Sequence, residues 1–347
     1  MKTLHRTLSL AMALVMAISL AACGSSAASK STPASKAASG STAATSTANK
    51  EKKKYKFGVI YNANNAFWDK VGQGATDKAA ELTKSGDYDI EIYAAGPATN
   101  AVTDQMQLFE DMMSQNYDGI IISCSDPSAF QPVIDAAVDK GVPIVCMDTD
   151  VANSKRLCFV GTDNYNFGCA LADEVARVLN GKGKVLLETL DPTMTSMAER
   201  LKGTQETLAK KYPDITVEQV MADTGDYSQI VGNIENLVAK YSDFDCYCIN
   251  FAGGENVINV WKTHGWDATK KHAVLSDDLD PIILGVKDGT VDSSLVQGQY
   301  NWGYKGVEIL VDYLANGVKP EAFVETKSYA CTKELAEKNY PDVVATK

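Results

Sequence analysis

Short apolar runs alternate with amphipathic stretches from residue 56 onward, and this alternation restricts the chain to few folds. Between the runs, apolar residues recur at helical spacing, as in Ile230, Ile234 and Leu237. Continuous apolar strands that alternate with helices indicate a parallel sheet covered on both faces. Ten runs have the length of buried strands: 57–61, 90–94, 119–123, 143–148, 158–161, 184–189, 216–222, 246–250, 273–276 and 294–297. Because one core rarely extends over a body of about 290 residues, the sequence predicts an α/β fold with two doubly wound parallel sheets.

The first 22 residues have the pattern of an export signal. Lys2 and Arg6 precede an apolar run that is too short to span a bilayer. Residues 20–24 resemble the bacterial lipobox, so we expect cleavage before Cys23 and lipidation of its thiol, with an ordinary secretory signal as the alternative. The segment 23–54 is rich in Ser, Ala, Thr and Lys, which predicts a flexible tether. The expected location is the outer face of the cytoplasmic membrane, or the periplasm, with the lipid as the membrane contact.

The charge balance disfavours nucleic acid as a partner. The chain has 33 Lys and Arg against 44 Asp and Glu, a net charge of -11. Loss of residues 1–22 would remove Lys2 and Arg6 and make it more acidic still. Strong binding to phosphates requires clustered cations.

Sequence motifs for catalysis are missing. After the signal, the chain has two histidines, His264 and His272, with no cysteine or acid at metal-ligand spacing, and it has no GxSxG, P-loop or HExxH motif. The fragment Gly72-Gln73-Gly74 lies within a helical pattern. The seven cysteines after Cys23 are odd in number, include no CxxC, and mostly lie in apolar runs, which favours free buried thiols. We therefore predict a protein that is no enzyme and binds no metal or cofactor.

Planar polar side chains follow five of the predicted strands. They are in the segment 62–68, in Asp148-Thr149-Asp150, at Asn250, at Asp277-Asp278 and at Gln297. Open parallel sheets bind ligands at the carboxyl ends of their strands. Carboxylates and amides can hold neighbouring hydroxyls of a sugar, and aromatic rings such as Phe67 and Trp68 can cover its C–H face. Each position also has a structural alternative, since Asp and Asn cap helices and Phe67-Trp68 could begin the core of the next helix.

The order of several sequence blocks resembles the ribose-type branch of the type I periplasmic binding proteins, from Tyr55 to about Thr332. The blocks are 57–68, 118–123, 141–150, 160–164, 199–203 and parts of 287–307. The resemblance implies two lobes that close over a ligand about a hinge of three chain crossings. The crossings are expected near Thr162, Gln297 and Thr326. The first lobe would comprise 55–162 plus 298–326, and the second 163–297 plus 327–347.

The resemblance also implies a set of ligand contacts. Asn65 and Asp148 would contact hydroxyls from the first lobe, Phe67 and Trp68 would stack, and Gln297 would lie at the hinge. Arg200, Asn250 and Asp277 would bind from the second lobe, although an Arg beside Glu199 could also be a solvated charge. Ribose binders have an Arg after the first-lobe Asp, whereas Thr149 and Asp150 stand here, which argues against ribose itself. Further candidate contacts are Tyr61, Asp126, Ser196 and Tyr227.

These observations predict a monomeric, lipid-anchored sugar-binding protein of an ABC importer. It would capture a pentose, hexose, polyol or furanose and deliver it to the permease without chemistry. Two alternatives stay open: a sensor for a furanose-like signal, and a binding protein for an amino acid or nucleoside. A transcriptional regulator is disfavoured, because an export signal and tether occupy the place of a helix-turn-helix domain.

Overall fold

A computed structural model describes residues 52–98, 101–190, 192, 194–223 and 229–345. The predicted signal peptide, Cys23 and Tyr227 lie outside these residues. None of the helices in the described ranges combines the length and the apolar character needed to cross a membrane.

The described residues form twelve strands and ten helices. The strands are β1 Lys53–Ile60, β2 Tyr88–Ala95, β3 Gly119–Ile122, β4 Ile144–Met147, β5 Cys158–Gly161, β6 Gly183–Thr189, β7 Ile215–Ala222, β8 Cys246–Ile249, β9 His272–Ser276, β10 Ser293–Val296, β11 Phe323–Glu325 and β12 Tyr329–Thr332. The helices are α1 Ala66–Lys84, α2 Val102–Ser114, α3 Pro127–Asp139, α4 Asn164–Val178, α5 Thr195–Lys211, α6 Ile230–Lys240, α7 Gly254–His264, α8 Asp280–Asp288, α9 Gln299–Asn316 and α10 Lys333–Asn339.

The strands form two six-stranded sheets of related topology. Their orders are β2-β1-β3-β4-β5-β11 and β7-β6-β8-β9-β10-β12. All neighbours pair in parallel except the edge strand β12, which is antiparallel to β10. The predicted fold class, α/β with two doubly wound sheets, is confirmed.

Helices cover both sheets and define two lobes. We call the first lobe the β1–β5 and β11 sheet with α1, α2, α3 and α9, and the second lobe the other sheet with the remaining helices. The chain passes between the sheets after β5, after β10 and after β11. The residue bounds given above for the lobes remain a prediction.

Two close helix pairs stiffen the lobes. A Cβ on Gly74 of α1 would lie 2.0 Å from the Tyr300 carbonyl oxygen of α9, and one on Gly303 would lie 2.0 Å from that of Val71. Gly168 of α4 is equally close to the backbone of α5 at Arg200. Only glycine allows such backbone approach, so Gly74 serves helix packing, as its sequence context predicts, whereas a Cβ on Gly72 would meet the Tyr61 hydroxyl at 2.1 Å.

All ten predicted strands are present, whereas β11 and β12 were missed. Both are three or four residues long and lie at sheet edges. The seven cysteines after Cys23 are free, and all but Cys169 are buried. They pack as small apolar residues, as predicted.

Candidate functional site

Asp148 and Asp277 occupy equivalent places in the two lobes. Asp148 directly follows β4 and Asp277 directly follows β9. Both have left-handed backbones, with φ of 57° and 73°, a conformation that Asp tolerates better than most residues. The backbone N–H of each donates to the next strand of its sheet, to Val160 at 3.3 Å and to Leu295 at 2.8 Å.

Arg200 is buried within electrostatic range of both carboxyl groups, so the surface alternative for this residue is wrong. Its exposed fraction is 4 %, and its guanidinium stacks over the Phe167 ring at 4.4 Å. The charge of Arg200 acts on both Asp148 and Asp277, and both act on it. Residues from the two lobes thus converge on one guanidinium.

Hydrogen bonds hold the Arg200 side chain in place. Nε donates to Asn164 Oδ1 at 2.8 Å, one Nη donates to the Asn250 carbonyl at 2.9 Å, and the other Nη donates to Gln297 Oε1. Gln297 Nε2 in turn donates to Asp277 Oδ1 at 2.7 Å. Four of the predicted contacts, Arg200, Asn250, Asp277 and Gln297, therefore form one buried network.

Two acceptors of this network have no donor among the described residues. They are Asp277 Oδ2 and Asn250 Oδ1, whose residues are 0 % and 4 % exposed. Unpaired buried polar atoms are costly. Their positions at the ends of β9 and β8 make them candidate ligand acceptors.

Burial changes the protonation of the site. It raises the pKa of Asp277 to about 6, opposed by the hydrogen bond from Gln297 and the charge of Arg200. Burial likewise raises the pKa of Asp148, opposed by the hydroxyls of Ser123 and Thr149, which donate to its Oδ2 at 3.0 Å each. Burial lowers the pKa of Arg200. These shifts are typical of a site in which burial disfavours charge.

Other predicted contacts of the first lobe have protein partners. The Oδ1 atom of exposed Asn65 caps α1 by accepting from the Phe67 N–H at 3.1 Å. Asp126 caps α3 in the same way. Asp150 forms a bidentate ion pair with Arg156 from the β4–β5 loop. Ser196, in the second lobe, lies half-buried in the first turn of α5.

The predicted aromatic contacts extend into the core of the first lobe. Trp68 is 6 % exposed and stacks on Tyr61 with ring centroids 5.8 Å apart. Phe67 is half-buried and meets Trp68 and Trp302 edge-on. One face of the Trp68 indole is therefore covered by protein, and Phe67 is the more accessible ring.

Thr326 connects the three crossings between the lobes. Its N–H and hydroxyl donate to the Gly161 carbonyl at the first crossing, at 2.8 and 3.1 Å, and the hydroxyl lies 3.4 Å from the Gln297 carbonyl at the second. Trp302 Nε1 donates to the same hydroxyl at 2.8 Å. The hinge is thus bonded directly to Gln297 of the site.

The sequence argument missed the residues that position the predicted ones. Ser123 fixes Asp148, and Asn164 fixes Arg200. Buried Gln105 joins two strand ends, since its Nε2 donates to the carbonyls of Tyr61 and Ser123 at 2.8 and 2.6 Å. Ser123 and Asn164 directly follow β3 and the first crossing, so the strand-end argument could have found them. No sequence signal identified Gln105, which lies in α2.

A second contact between the lobes surrounds Asp278. Lys70 of α1 donates to its carbonyl at 2.7 Å and pairs with its Oδ2 at 2.9 Å, and Gln299 of α9 donates to its Oδ1. Tyr340 from α10 of the second lobe also donates to Oδ2. We call Lys70, Asp278 and Gln299 the latch, because these bonds require the lobes to be together.

Comparison with known proteins gives a family for this fold and site. The sequence matches the periplasmic binding protein domain family over residues 57–318. The chain belongs to the periplasmic binding protein domain family. This match bears out the resemblance drawn from the sequence blocks.

Several relatives and solved structures that are similar to this chain are sugar-binding proteins by name. The D-allose-binding periplasmic protein of Escherichia coli strain K12 is 26 % identical over 275 residues, which cover 75 % of this chain and 84 % of that protein. A sugar-binding protein of a sugar ABC transporter from Bacillus halodurans has a TM-score of 0.73 at 26 % identity and covers 83 % and 100 % of the two chains. A solute-binding protein from Burkholderia graminis in complex with D-arabinose has a TM-score of 0.72 at 26 % identity, covering 82 % and 97 %.

The two histidines in the described ranges contact acidic side chains away from the site. His264 pairs with Glu235 at 2.7 Å, and His272 pairs with Asp292 at 2.9 Å. Within the described ranges, no group of three or more His, Cys, Asp or Glu side chains is placed to hold a metal ion.

Proposed function

We propose that the protein is the substrate-binding component of an ABC importer and captures one small sugar, polyol or furanose between its lobes. The observation that carries this proposal is the convergence of Asp148, Asp277 and Asn250 on Arg200, with two buried acceptors left for a ligand. Sugar hydroxyls supply the matching donors. The family relatives named above, for allose and arabinose, support the same ligand class.

Capture depends on closure rather than on chemistry. Asp148 lies on the first lobe and Asp277 on the second, so a ligand held by both keeps the lobes together. The hinge at Thr326 allows this movement, and Phe67 supplies an apolar face for the C–H surface of the guest. The closed, loaded form is then the one that the permease recognises.

Calorimetry of the purified full chain against pentoses, hexoses and polyols tests the proposal. At least one should bind, and Asp277→Ala should weaken that binding by about 2 to 5 kcal/mol, the usual cost of losing a desolvated charged hydrogen bond. Unchanged affinity in this variant would remove Asp277 from the site. Sugar capture would be refuted if none of these carbohydrates binds.

The membrane attachment is part of the same proposal. We infer that Cys23 carries the lipid and that the residues between it and β1 at Lys53 form the tether, so the monomeric body works at the outer face of the membrane. Cys23→Ser should release the protein from the membrane fraction into the soluble fraction. Retention of that variant in the membrane would contradict lipidation at Cys23.

A further inference from the structure

The candidate site holds more negative than positive charge. Its ionisable groups are the Asp148 and Asp277 carboxyls and the Arg200 guanidinium, whose charge acts on both carboxyls. With both carboxyls ionised, the site has a net charge of about −1, and Arg200 and Asp277 are buried while Asp148 is half-buried. Neighbouring charges do not correct this, since Asp150 pairs with Arg156 and Asp278 pairs with Lys70.

Arg200 does not neutralise Asp277 by direct contact. Its Nε and both Nη atoms donate to Asn164, to the Asn250 carbonyl and to Gln297. In the described part of the chain, the side chains that donate to these two carboxylates are the Gln297 amide and the Ser123 and Thr149 hydroxyls, all of them neutral.

The unpaired acceptors are adjacent to this excess charge. Asp277 Oδ1 accepts from Gln297, whereas Oδ2 of the same carboxylate has no donor in the described part of the chain. Asn250 Oδ1, at the end of the next strand of the sheet, also lacks one. A buried charge without a counterion is strongly destabilising. A group that donates several hydrogen bonds and carries positive charge would satisfy both acceptors and the net charge together.

We propose that the ligand carries an ammonium group, as an amino sugar, amino polyol or iminosugar does, and that this group binds Asp277 Oδ2 and Asn250 Oδ1. The inference rests on the proposed function and narrows its ligand class from neutral sugars to cationic ones. It also excludes sugar acids and sugar phosphates, whose charge would be repelled by both carboxylates. The remaining hydroxyls of the ligand bind towards Asp148.

Calorimetry with matched pairs tests the proposal on the purified full chain. The pairs are D-glucosamine with D-glucose, D-galactosamine with D-galactose, N-methyl-D-glucamine with D-glucitol, and 1-deoxynojirimycin with 1,5-anhydro-D-glucitol. At about pH 7, below the pKa of an ordinary amine, the cationic member of at least one pair should bind about tenfold tighter, because charged hydrogen bonds are stronger than neutral ones. D-glucuronate should not bind.

The variant Asp277→Asn keeps the shape of the side chain and removes its charge. Its ratio of cationic to neutral affinity should fall from about tenfold to about one, whatever the change in absolute affinity. Asp243→Asn is the matched control. It removes one negative charge from an exposed side chain paired with Lys184, at the other end of the strands of the same sheet, and should leave the ratio unchanged.

The outcomes separate this inference from the proposed function. If neutral sugars bind and no cationic member is preferred in any pair, the inference is overturned and sugar capture stands. If Asp277→Asn retains the preference, the assignment to Asp277 is wrong. If neither these pairs nor the pentoses, hexoses and polyols of the first panel bind, both proposals are refuted.

Discussion

The latch should contribute to ligand affinity without touching the ligand. We consider Lys70→Met, which keeps the length and apolar stem of the side chain but removes the charge that joins α1 to Asp278. The lost interactions are the bonds to the Asp278 carbonyl at 2.7 Å and to its carboxylate at 2.9 Å. Both link the first lobe to the second, so they are lost when the lobes open.

The magnitude follows from the burial of the pair. The Lys70 side chain is 27 % exposed and that of Asp278 is 9 % exposed. Exposed pairs contribute about 0 to 1 kcal/mol, whereas leaving a buried partner unpaired costs about 3 to 5 kcal/mol. Asp278 keeps its bonds from Gln299 and Tyr340, so we expect an intermediate loss of about 1 to 2 kcal/mol. Because only the closed form is weakened, ligand affinity should fall about 5- to 30-fold.

The assay is calorimetry with the sugar that binds the unmodified chain, combined with urea unfolding of the ligand-free protein. Lys305→Met is the control, since Lys305 pairs with Glu308 within α9 and joins no second lobe. We expect weaker binding for Lys70→Met and unchanged binding for Lys305→Met. Equal affinities for Lys70→Met and the unmodified chain, or equal losses in both variants, would refute the idea that the latch stabilises closure.

Two further predictions concern the stability of the lobes. Burial, and then the neighbouring Asp223 carboxyl, raise the pKa of Glu188 to about 9, while the Tyr247 hydroxyl donates to it at 2.6 Å. Neutral Glu188 therefore stabilises the fold at low pH, and this contribution is lost as pH rises from 4.5 towards 9. Between pH 7 and 9, the free energy of unfolding should fall by up to about 1.4 kcal/mol per pH unit relative to that of Glu188→Gln. Parallel pH profiles of the two proteins in urea unfolding would contradict the raised pKa. Gly74→Ala should destabilise by about 1 to 3 kcal/mol, because the new Cβ meets the Tyr300 carbonyl of α9. Gly232→Ala, where a Cβ meets no atom within 4 Å, should instead stabilise α6 by about 0.5 to 1 kcal/mol. A urea-unfolding midpoint of Gly74→Ala at or above that of Gly232→Ala would show that α1 and α9 are packed less tightly than described.

The fold could be predicted from the sequence because buried strands have a local pattern of apolar residues. Strands such as β3 and β4 lie inside the first sheet with every residue buried, so their sequences are continuous apolar runs. The edge strands β11 and β12 are short and half-exposed, and their sequences carry no such run. They form because the neighbouring strand offers unpaired backbone groups, so their formation depends on the sheet and not on the residues of the segment itself.

The candidate site could be predicted from the sequence only in part. The strand-end argument identified Asp277, Asn250 and Gln297, because the topology of a parallel sheet brings the ends of its strands together. It could not separate Asp148 from Asp126 or Asn65, since an Asp or Asn after a strand caps a helix as readily as it faces a cleft. Nor could it predict that Asp150 is neutralised by Arg156.

By itself, the sequence determined the two parallel sheets, the polar strand ends and the acidic balance of the chain, because these properties depend on residue type and short-range order. Only the tertiary structure decided that Arg200 is buried within electrostatic range of carboxyls from both lobes, that Lys70 and Gln299 hold Asp278, and that Asp277 Oδ2 has no donor among the described residues. The physical reason is that charge and hydrogen-bond partners are chosen by proximity in space. Arg200 and Gln297, or Lys70 and Asp278, are far apart along the chain, and no local pattern records such a pairing.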